Sequence, residues 1–328
     1  MFVVKGIKRV PVDLTRRKKL SSNCKSRMAT VLITGGTGLV GKALSRRLQE
    51  RGFEVSVLSR TKQLSEQVPF YTWDISKGEI DPEAIATADY IIHLSGVNIG
   101  EKRWSRKRKQ EILESRINSG QLIYEEVRKQ DKKLRAFISA SAIGYYGSAT
   151  SPEIFNELDP PGEDFLGLTC RAWEQVADRF QDAGIRTVKI RTGVVLTNQG
   201  GVFSKMLIPI KIGFGAALGN GKQYFPWIHM DDLCGIYIRA IEEARMIGAY
   251  NAVAPEHLTN IEFTQTLAQA LNRTLWAPDI PAFVLKLVFG KMSEILLQGS
   301  RVSSDNIQTA GYKFQYPGIQ GALKNLVQ

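Results

Sequence analysis

The chain has 328 residues, 43% of them hydrophobic, enough to bury one large core or two smaller ones. Its net charge of +12 suggests a nucleic-acid partner until the charge is located: residues 1–28 hold nine basic side chains against one acid, so the other 300 residues carry only +4. We therefore expect no nucleic-acid partner, and no membrane partner because no apolar run reaches the ~18 residues of a membrane span.

The leader, residues 1–28, has no apolar core of the kind that a secretory signal peptide needs, and it is basic and acid-poor as organelle transit segments are. Two interpretations stay open: a transit-like segment for a plastid or mitochondrion, or a non-native start upstream of Met28. The three cysteines, Cys24, Cys170 and Cys234, have no metal-ligand spacing. We expect a reduced, cytoplasmic compartment, unless the leader is a transit peptide, and no metal site.

Beyond the leader, short apolar runs rich in β-branched residues alternate with segments of helical periodicity. The predicted strands cover residues 30–34, 55–59, 90–94, 136–141 and 187–191. The predicted helices between them cover residues 39–51, 105–129 and 168–183. This alternation predicts an α/β fold, a doubly wound parallel sheet of the Rossmann type, covered by helices on both faces.

From about residue 200 the alternation gives way to glycine-rich connections. A short strand is predicted near residues 249–253, and helices are predicted over 261–271 and 282–297. We therefore divide the chain into the leader (1–28), a dinucleotide-binding domain (29–255) and a small C-terminal lobe (256–328). The lobe is expected to contribute to the substrate side together with the glycine-rich segment.

A glycine-rich turn, Thr34-Gly35-Gly36-Thr37-Gly38-Leu39-Val40-Gly41, joins the first predicted strand to the first helix. Gly35 fits a tight turn, Gly38 allows the backbone to approach a pyrophosphate closely, and Gly41 allows the helix to pack closely on the strand. The helix N-terminus would bind the pyrophosphate through free N–H groups and the macrodipole. The residues expected to bind a dinucleotide here are Gly35, Thr37, Gly38, Leu39 and Gly41.

The end of the second strand indicates which dinucleotide is bound. NAD enzymes carry an acidic residue there, whereas this chain has Ser59 and Arg60. A 2′-phosphate could accept a hydrogen bond from the Ser59 hydroxyl and pair with the Arg60 guanidinium. The alternative is that Arg60 is a solvated residue at a strand end. We predict NADP as the cofactor.

Further motifs occur at the ends of the predicted strands and in the C-terminal third: Leu94-Ser95-Gly96-Val97-Asn98-Ile99, Arg103-Trp104, Ser115-Arg116, Ser141-Ala142-Ile143-Gly144-Tyr145-Tyr146-Gly147, Arg191-Thr192-Gly193-Val194-Val195-Leu196, Pro226-Trp227-Ile228-His229, Gly299-Ser300-Arg301-Val302 and Ala310-Gly311-Tyr312-Lys313-Phe314. With these motifs the chain, from Ala29 to its C-terminus, resembles the extended short-chain dehydrogenase/reductase superfamily. It is most similar to an atypical epimerase-like branch with a small C-terminal domain of unknown function. Some members of that branch are described as cell-division inhibitors.

The resemblance implies further cofactor contacts. Leu94 and Ser95 would line the cofactor at the end of a central strand, and Asp74, after the third strand, would lie near the adenine. Glu111 and Arg116 would reach the cofactor from the following helix. The alternative for these last two is an exposed salt-bridge face of that helix.

Members of the superfamily usually deliver a proton with a tyrosine whose pKa is lowered by a lysine four residues later. No tyrosine of this chain has a lysine at that spacing; with the helix aligned through Glu174, the two positions fall on Leu166 and Cys170. The substitutes offered by the sequence are Ser141, Tyr145 and Tyr146. The alternative interpretation of the tyrosine pair is packing.

Two other candidates are interpreted as structural. Cys170 lies on an apolar helix face, where a buried thiol is typical. His229 precedes two aspartates at a strand-to-helix junction, where an aspartate can cap the helix. The basic run 102–109 is interpreted as the solvated start of a long helix, with Trp104 turned toward the pocket, rather than a nucleic-acid patch.

These features predict an NADP-binding oxidoreductase or epimerase-like protein that acts on a small carbonyl, hydroxyl or nucleotide-linked substrate. The expected partner is that small molecule, and a homodimer is left open. The alternative is a non-catalytic NADP-binding regulator of cell or plastid division, because fold alone does not fix function.

Overall fold

The central element of the fold is an eight-stranded sheet. The computed structural model describes residues 28–61 and 68–328, so the leader lies outside the described residues apart from Met28. The sheet strands are β1 (Thr30–Thr34), β2 (Glu54–Ser59), β3 (Phe70–Asp74), β4 (Glu79–Ile80), β5 (Tyr90–His93), β6 (Ala136–Ala142), β8 (Thr187–Thr192) and β11 (Gly248–Ala252). Their order is β11-β8-β6-β5-β1-β2-β3-β4, and every pair is parallel except β3 with β4.

Four further strands form two small parallel pairs outside this sheet. They are β7 (Ile154–Phe155) with β12 (Arg301–Val302), and β9 (Val194–Leu196) with β10 (Trp227–His229). The predicted doubly wound α/β fold is confirmed, because the strand order reverses on either side of β1 as it does in such sheets.

Helices cover both faces of the sheet and build the C-terminal third. They are α1 (Leu39–Glu50), α2 (Pro82–Thr87), α3 (Arg106–Lys129), α4 (Phe165–Asp182), α5 (Gly201–Lys211), α6 (Met230–Glu242), α7 (Asn260–Ala270), α8 (Ala282–Phe289), α9 (Glu294–Leu297), α10 (Asp305–Thr309) and α11 (Ile319–Val327). Helices α1 and α6 pack on one face, and α2, α3 and α4 pack on the other. All five positions of β1 are buried, as expected for a central strand covered on both sides.

The helix predicted over residues 282–297 is wrong as a single element. Gly290 has φ 60°, in the left-handed region that glycine adopts without steric cost, and α8 ends there. A 3₁₀ turn, Gly290–Ser293, follows, and α9 begins after it. The apolar periodicity continues across the break, so it did not reveal the change of direction.

The hydrophobic core continues across the division predicted at residue 255. One cluster contains buried side chains of α5, α7 and α11 together with Leu196 of β9 and Trp227 of β10. The C-terminal segments therefore share a core with elements that precede residue 255. The division into domains stays a prediction.

The C-terminal tail is fixed to the sheet domain through Asp232, whose side chain is fully buried in α6. Its carboxylate accepts hydrogen bonds from the Tyr312 hydroxyl at 2.9 Å and from the backbone N–H groups of Gln315 at 2.7 Å and Tyr316 at 2.9 Å. Three bonds satisfy the charge in the interior. Asp232 is therefore an anchor for residues 312–316 rather than the cap of α6.

The cap of α6 is His229, not an aspartate as the sequence analysis expected. Its Nδ1 accepts a hydrogen bond from the Asp231 N–H at 3.1 Å, which requires an unprotonated Nδ1. The ring packs on Tyr316 with centroids 4.0 Å apart. This contact leaves His229 with the structural role that the sequence analysis gave it.

No helix in the described ranges is long and apolar enough to cross a membrane. The same ranges contain no cluster of three or more histidine, cysteine or acidic side chains suited to hold a metal ion.

We predict that Asp232→Asn lowers the free energy of unfolding by about 2–4 kcal/mol, because an amide N–H₂ would face buried donors. The matched control is Asp231→Asn. That neighbour is partly exposed and pairs with Arg47, so its loss should cost about 1 kcal/mol or less. Urea denaturation of the three proteins measures both values, and equal losses would contradict the anchoring role.

Candidate cofactor and substrate site

The glycine-rich turn lies against the end of β5. Gly35 has φ 70°, and a Cβ added there would lie 3.1 Å from the backbone of Leu94 and Ser95. A Cβ on Gly41 would lie 2.5 Å from the Gly35 carbonyl oxygen, too close for any side chain. These contacts match two of the tasks assigned to the glycines: a tight turn and close packing of helix on strand.

The N-terminus of α1 offers free donors at this edge of the sheet. Gly38 is the N-cap residue and has no side chain to cap the helix, and the first turn contains no acidic residue. The backbone N–H groups that open the helix therefore keep their affinity for an anion. Thr37 is half-buried and Gly38 is exposed beside them.

A buried chain of hydrogen bonds joins β1, β5 and α3 behind the turn. The Thr34 hydroxyl oxygen accepts a bond from the Ser95 N–H at 3.3 Å and lies 2.8 Å from His93 Nδ1. The other ring nitrogen, Nε2, lies 3.2 Å from the Ser119 hydroxyl, which donates to the Ser115 carbonyl at 2.7 Å. With these partners the Thr34 hydroxyl donates to Nδ1 and Nε2–H donates to Ser119, so the ring is neutral.

Burial also lowers the pKa of His93 to about 4, which agrees with a neutral ring. The chain of bonds therefore fixes the start of the loop after β5 without placing a charge beneath the turn. Leu94 and Ser95 directly follow β5 and lie against Gly35 of the glycine-rich turn, and their contact with a cofactor stays a prediction.

Side chains of α3 hold the rest of that loop. The Val97 N–H donates to the Ser115 hydroxyl at 3.1 Å, and the Val97 carbonyl accepts from Arg116 Nη1 at 3.2 Å. Arg108 Nη2 donates to the Asn98 carbonyl at 2.8 Å. The loop is thus held at its backbone by residues of the helix that follows it.

Arg116 and Glu111 were expected to reach the cofactor, and in this structure both bind protein groups. The Arg116 guanidinium also stacks over the Trp173 ring at 4.9 Å, and the residue is half-buried. Glu111 pairs with Arg108 at 3.2 Å on the half-exposed side of α3. Their contact with a cofactor stays a prediction.

The ends of β2 and β3 lie side by side at the place where the adenosine of a cofactor was expected. Ser59 is half-buried and its hydroxyl accepts a bond from the Thr61 N–H at 3.4 Å, while Arg60 is exposed. Asp74 follows on the next strand, where its carboxylate closes a turn by accepting bonds from the backbone N–H groups and the hydroxyl in residues 76–77. The Ser76 hydroxyl is the main cause that lowers the pKa of Asp74.

A buried ion pair lies at the opposite end of the site, behind β6 and β8. Arg191 Nε donates to Glu174 Oε1 at 2.8 Å, and Arg191 Nη2 donates to Glu174 Oε2 at 2.9 Å. Both side chains are at least 95% buried. This two-point geometry satisfies both charges in the interior.

Two of the three predicted catalytic residues belong to this network. The Ser141 hydroxyl donates to Glu174 Oε1 at 2.7 Å, and Ser141 is 3% exposed. The Tyr146 hydroxyl donates to Asn251 Oδ1 at 2.7 Å and accepts from Arg191 Nη1 at 3.0 Å. Burial raises the pKa of Tyr146 to about 12. Both hydroxyls are bound to protein groups.

Tyr145 differs from these two residues. It is half-buried, and its ring faces the Arg191 guanidinium, 3.4 Å from carbon to centroid. Its hydroxyl has no hydrogen-bond partner within the described part of the chain. Tyr145 is therefore the one of the three predicted residues that presents a free phenol beside a cation.

The two positions of the usual tyrosine-lysine pair are apolar. Leu166 packs in a cluster with Trp104, Phe165 and Met292, the last of which belongs to the 3₁₀ turn after α8. Cys170 is buried, and burial raises the pKa of its thiol to about 12, so the thiol is protonated. Trp104 is buried in this cluster and makes an edge contact with Phe165 at 5.0 Å, so it packs on the protein instead of lining an open pocket.

A solvent-open groove of 590 Å³ lies between the chain that follows α5 and residues 282–298. It is bounded by Gly219 and Asn220 on one side and by residues of α8, the 3₁₀ turn and α9 on the other. Its volume suits a small ligand. This is the region from which the sequence analysis expected the substrate pocket to be built.

Sequence reasoning did not identify Arg191, Glu174 and Asn251 as members of the site. The sequence does contain a signal for two of them. Arg191 lies near the end of an apolar strand and Glu174 lies on the apolar face of a helix, and charged side chains that are buried in such places need partners. Periodicity alone, however, does not show which partners they find.

Comparison with known proteins gives matches along most of the chain. Residues 31–253 match the NAD dependent epimerase/dehydratase family, and residues 280–326 match a domain of unknown function, DUF1731. Epimerase family protein SDR39U1 from Homo sapiens is 36% identical over 301 residues, which cover 90% of this chain and 99% of that protein. Epimerase family protein YfhF from Bacillus subtilis is 33% identical, with 90% and 97% covered.

Two solved structures extend these matches to three dimensions. The crystal structure of human epimerase family protein SDR39U1 (isoform 2) with NADPH has a TM-score of 0.82 and 35% identity, and covers 90% of this chain and 98% of that one. The nucleoside-diphosphate sugar epimerase from Corynebacterium glutamicum has a TM-score of 0.75 and 32% identity, and covers 92% of this chain and 58% of that one. The predicted resemblance to an epimerase-like family with a small C-terminal domain is confirmed.

We predict that the neutral state of His93 makes folding sensitive to acid. Its folded-state pKa of about 4 lies below the ordinary 6.5, so the unfolded chain takes up the proton first as the pH falls. The stability from neutral His93 is complete above pH 6.5 and is lost as the pH falls toward 4.

Urea denaturation at pH 7 and pH 5 measures the effect. Between these pH values the unaltered chain should lose about 2 kcal/mol more than His93→Gln, which has no titrating group at this position. Equal losses in the two proteins would show that His93 does not stay neutral on folding.

Proposed function

This chain belongs to the NAD-dependent epimerase/dehydratase family, and from that premise we propose that it binds NADP(H) as an oxidoreductase or epimerase-like enzyme. The proposed substrate is a small molecule with a carbonyl or hydroxyl group, which includes nucleotide-linked compounds. The observation that carries the proposal is the end of β2, where Ser59 and Arg60 stand beside a complete pyrophosphate cradle.

The residues of the cradle fit a dinucleotide. The free N–H groups at the start of α1 suit a pyrophosphate, the space at Gly41 is too small for any side chain, and a side chain at Gly35 would be strained by its positive φ. Thr37, Gly38 and Leu39 complete the proposed contacts. The loop start at Leu94 and Ser95 is held rigid by Thr34 behind it, which suits a binding surface.

The choice of NADP over NAD rests on charge. An acidic residue at the end of β2 would repel a 2′-phosphate, and this chain has a hydroxyl and a guanidinium there instead. The neighbouring strand β3 ends in a carboxylate, that of Asp74. This carboxylate accepts hydrogen bonds from the turn that follows it and pairs with Lys77 at 3.6 Å. The NADPH in the human relative's crystal structure supports the same choice.

For the chemistry, we propose Tyr145 as the proton donor and keep Ser141 and Tyr146 as the other candidates. Bound NADPH would supply a hydride to the carbonyl carbon, and the carbonyl oxygen then needs a proton. The Tyr145 phenol is free to give one, and the guanidinium of Arg191 facing its ring would stabilise the negative charge left on the oxygen. Ser141 and Tyr146 would have to break buried hydrogen bonds first.

A second candidate function is a cofactor-binding regulator without turnover. It is favoured by the apolar residues Leu166 and Cys170 at the positions of the usual catalytic pair. Tight NADPH binding with no turnover on a panel of carbonyls and nucleotide sugars would favour this candidate over the enzyme.

We predict that Arg60→Ala weakens NADPH binding by about 1–3 kcal/mol and leaves NADH binding nearly unchanged, because only NADPH carries the 2′-phosphate. Fluorescence titration with each cofactor gives the dissociation constants. Arg46→Ala is the matched control, since Arg46 is an exposed arginine of α1 that pairs with Glu50. The same loss for both cofactors would remove Arg60 from the 2′-phosphate site.

We also predict that Tyr145→Phe abolishes carbonyl-dependent oxidation of NADPH while the free energy of unfolding hardly changes. Tyr146→Phe should instead lower the free energy of unfolding by about 1–3 kcal/mol, because it leaves buried partners unsatisfied. Absorbance at the NADPH band and urea denaturation measure the two effects. Full turnover by Tyr145→Phe would exclude Tyr145 as the donor.

A further inference from the structure

Exposed apolar side chains are concentrated on two stretches of the chain. Eight of the 13 exposed large hydrophobic residues in the described ranges lie within residues 202–214 and 276–288. They are Val202, Ile208, Ile212, Phe214, Trp276, Phe283, Leu287 and Val288. Phe283 and Leu287, four residues apart on α8, are 71% and 75% exposed. Such a concentration is unusual for a surface that faces only water.

The two stretches meet in the fold. The rings of Phe214 and Trp276 are in contact, with centroids 5.3 Å apart. Next to them Leu218 and Ile280 form a backbone bridge, and α8 begins two residues later. We call residues 202–214 and 273–291 together the apolar surface. Leu285 is the only buried side chain of α8, so this helix lies on the protein with most of its apolar residues uncovered.

The apolar surface is also positively charged. It contains five exposed basic residues, Lys205, Lys211, Arg273, Lys286 and Lys291, and one acidic residue, Asp279. No salt bridge joins any of the five to an acid within residues 28–61 and 68–328. The surface therefore combines exposed aromatic and aliphatic side chains with unpaired cations.

This combination selects among the occupants that could cover the surface. A second copy placed on the same surface would bring its five cations against the five of the first, which disfavours a symmetric pair. The leader is itself strongly basic and is disfavoured for the same reason. The charge calls for an anionic partner with an apolar interior.

We propose that the apolar surface docks on an anionic lipid bilayer, with the aromatic and aliphatic side chains in the interfacial region and the lysines against the lipid headgroups. Exposed aromatic and aliphatic side chains interleaved with lysines are features of proteins that lie in the membrane interface without crossing it. The sequence analysis expected no membrane partner because it found no membrane-spanning segment. A protein can dock on a membrane surface without such a segment.

The surface borders the cofactor cradle. A Cβ at Gly201, where α5 begins, would lie 3.4 Å from the side chain of Leu39, the first residue of α1. At the other end Arg103, in the loop between β5 and α3, donates to the Leu287 carbonyl of α8 at 3.3 Å. Docking would therefore bring the mouth of the site close to the bilayer.

The experiment is cosedimentation of the full chain with vesicles of phosphatidylcholine alone and with phosphatidylglycerol added. The unaltered chain should bind the anionic vesicles and leave the neutral ones largely free. Lys286→Gln/Lys291→Gln should weaken that binding on the order of thirtyfold, and Phe283→Ser/Leu287→Ser at least about tenfold.

Matched controls remove the same groups from other faces. Lys313→Gln/Lys324→Gln takes away two exposed lysines, and Leu158→Ser/Leu168→Ser two exposed leucines, outside the apolar surface. Both should bind vesicles as the unaltered chain does, and the leader is present in every protein compared. Equal binding by all variants, or no preference for anionic vesicles, would overturn the proposal.

Light scattering without vesicles measures the oligomeric state of each protein. If substitutions in the apolar surface change that state, a second copy of the chain covers the surface, and the docking proposal is overturned. NADPH titration of each variant should give an unchanged dissociation constant. Vesicle binding and NADPH binding are measured separately. The docking proposal can therefore fail while the proposed function stands, and the proposed function can fail while the docking proposal stands.

Discussion

The interaction on which the polar network at the ends of β6 and β8 depends is the buried ion pair between Glu174 of α4 and Arg191 of β8. A buried pair is tolerated only when its remaining lone pairs and protons find partners, and here Ser141 of β6 and the Tyr146 hydroxyl provide them. The Tyr146 hydroxyl also donates a hydrogen bond to Asn251 of β11, and the Asn251 amide donates to the Ser303 carbonyl at 3.1 Å. One network thus joins three sheet strands, a helix and Ser303 in the C-terminal third of the chain.

The two ends of the site contrast in how their polar groups are used. At the proposed cofactor end the groups that would contact a ligand have no partner among residues 28–61 and 68–328: the N–H groups that open α1 and the exposed guanidinium of Arg60. At the substrate end most groups are bound to one another, and Leu166 and Cys170 replace the usual catalytic pair with apolar side chains. The ion pair is hydrogen-bonded to the hydroxyls of Ser141 and Tyr146. It also holds the Arg191 guanidinium against the ring of Tyr145. The same interaction therefore disfavours Ser141 and Tyr146 as proton donors and favours Tyr145.

Local features of the site could be predicted from the sequence. The glycine spacing after β1 is a requirement of one turn and one helix start, so the residues 35–41 sufficed, and apolar runs located the central strands. The partners of Arg191 and Asp232 could not be predicted, because they lie 17 to 84 residues away and periodicity carries no pairing information. The break at Gly290 was missed for a related reason: the apolar pattern continues through it, and only the φ of one residue changes. The shared core of α5, α7 and α11 likewise depends on packing between distant segments.

We propose that an NADP cradle stands beside a substrate end whose polar groups are bound to one another. A crystal structure of the chain with NADPH tests it most directly. We expect the 2′-phosphate at Ser59 and Arg60, the pyrophosphate at the start of α1, and the bonds of Glu174 to Arg191 and Ser141 intact. A 2′-phosphate away from Arg60, or a Ser141 hydroxyl turned from Glu174 toward the nicotinamide, would contradict this account.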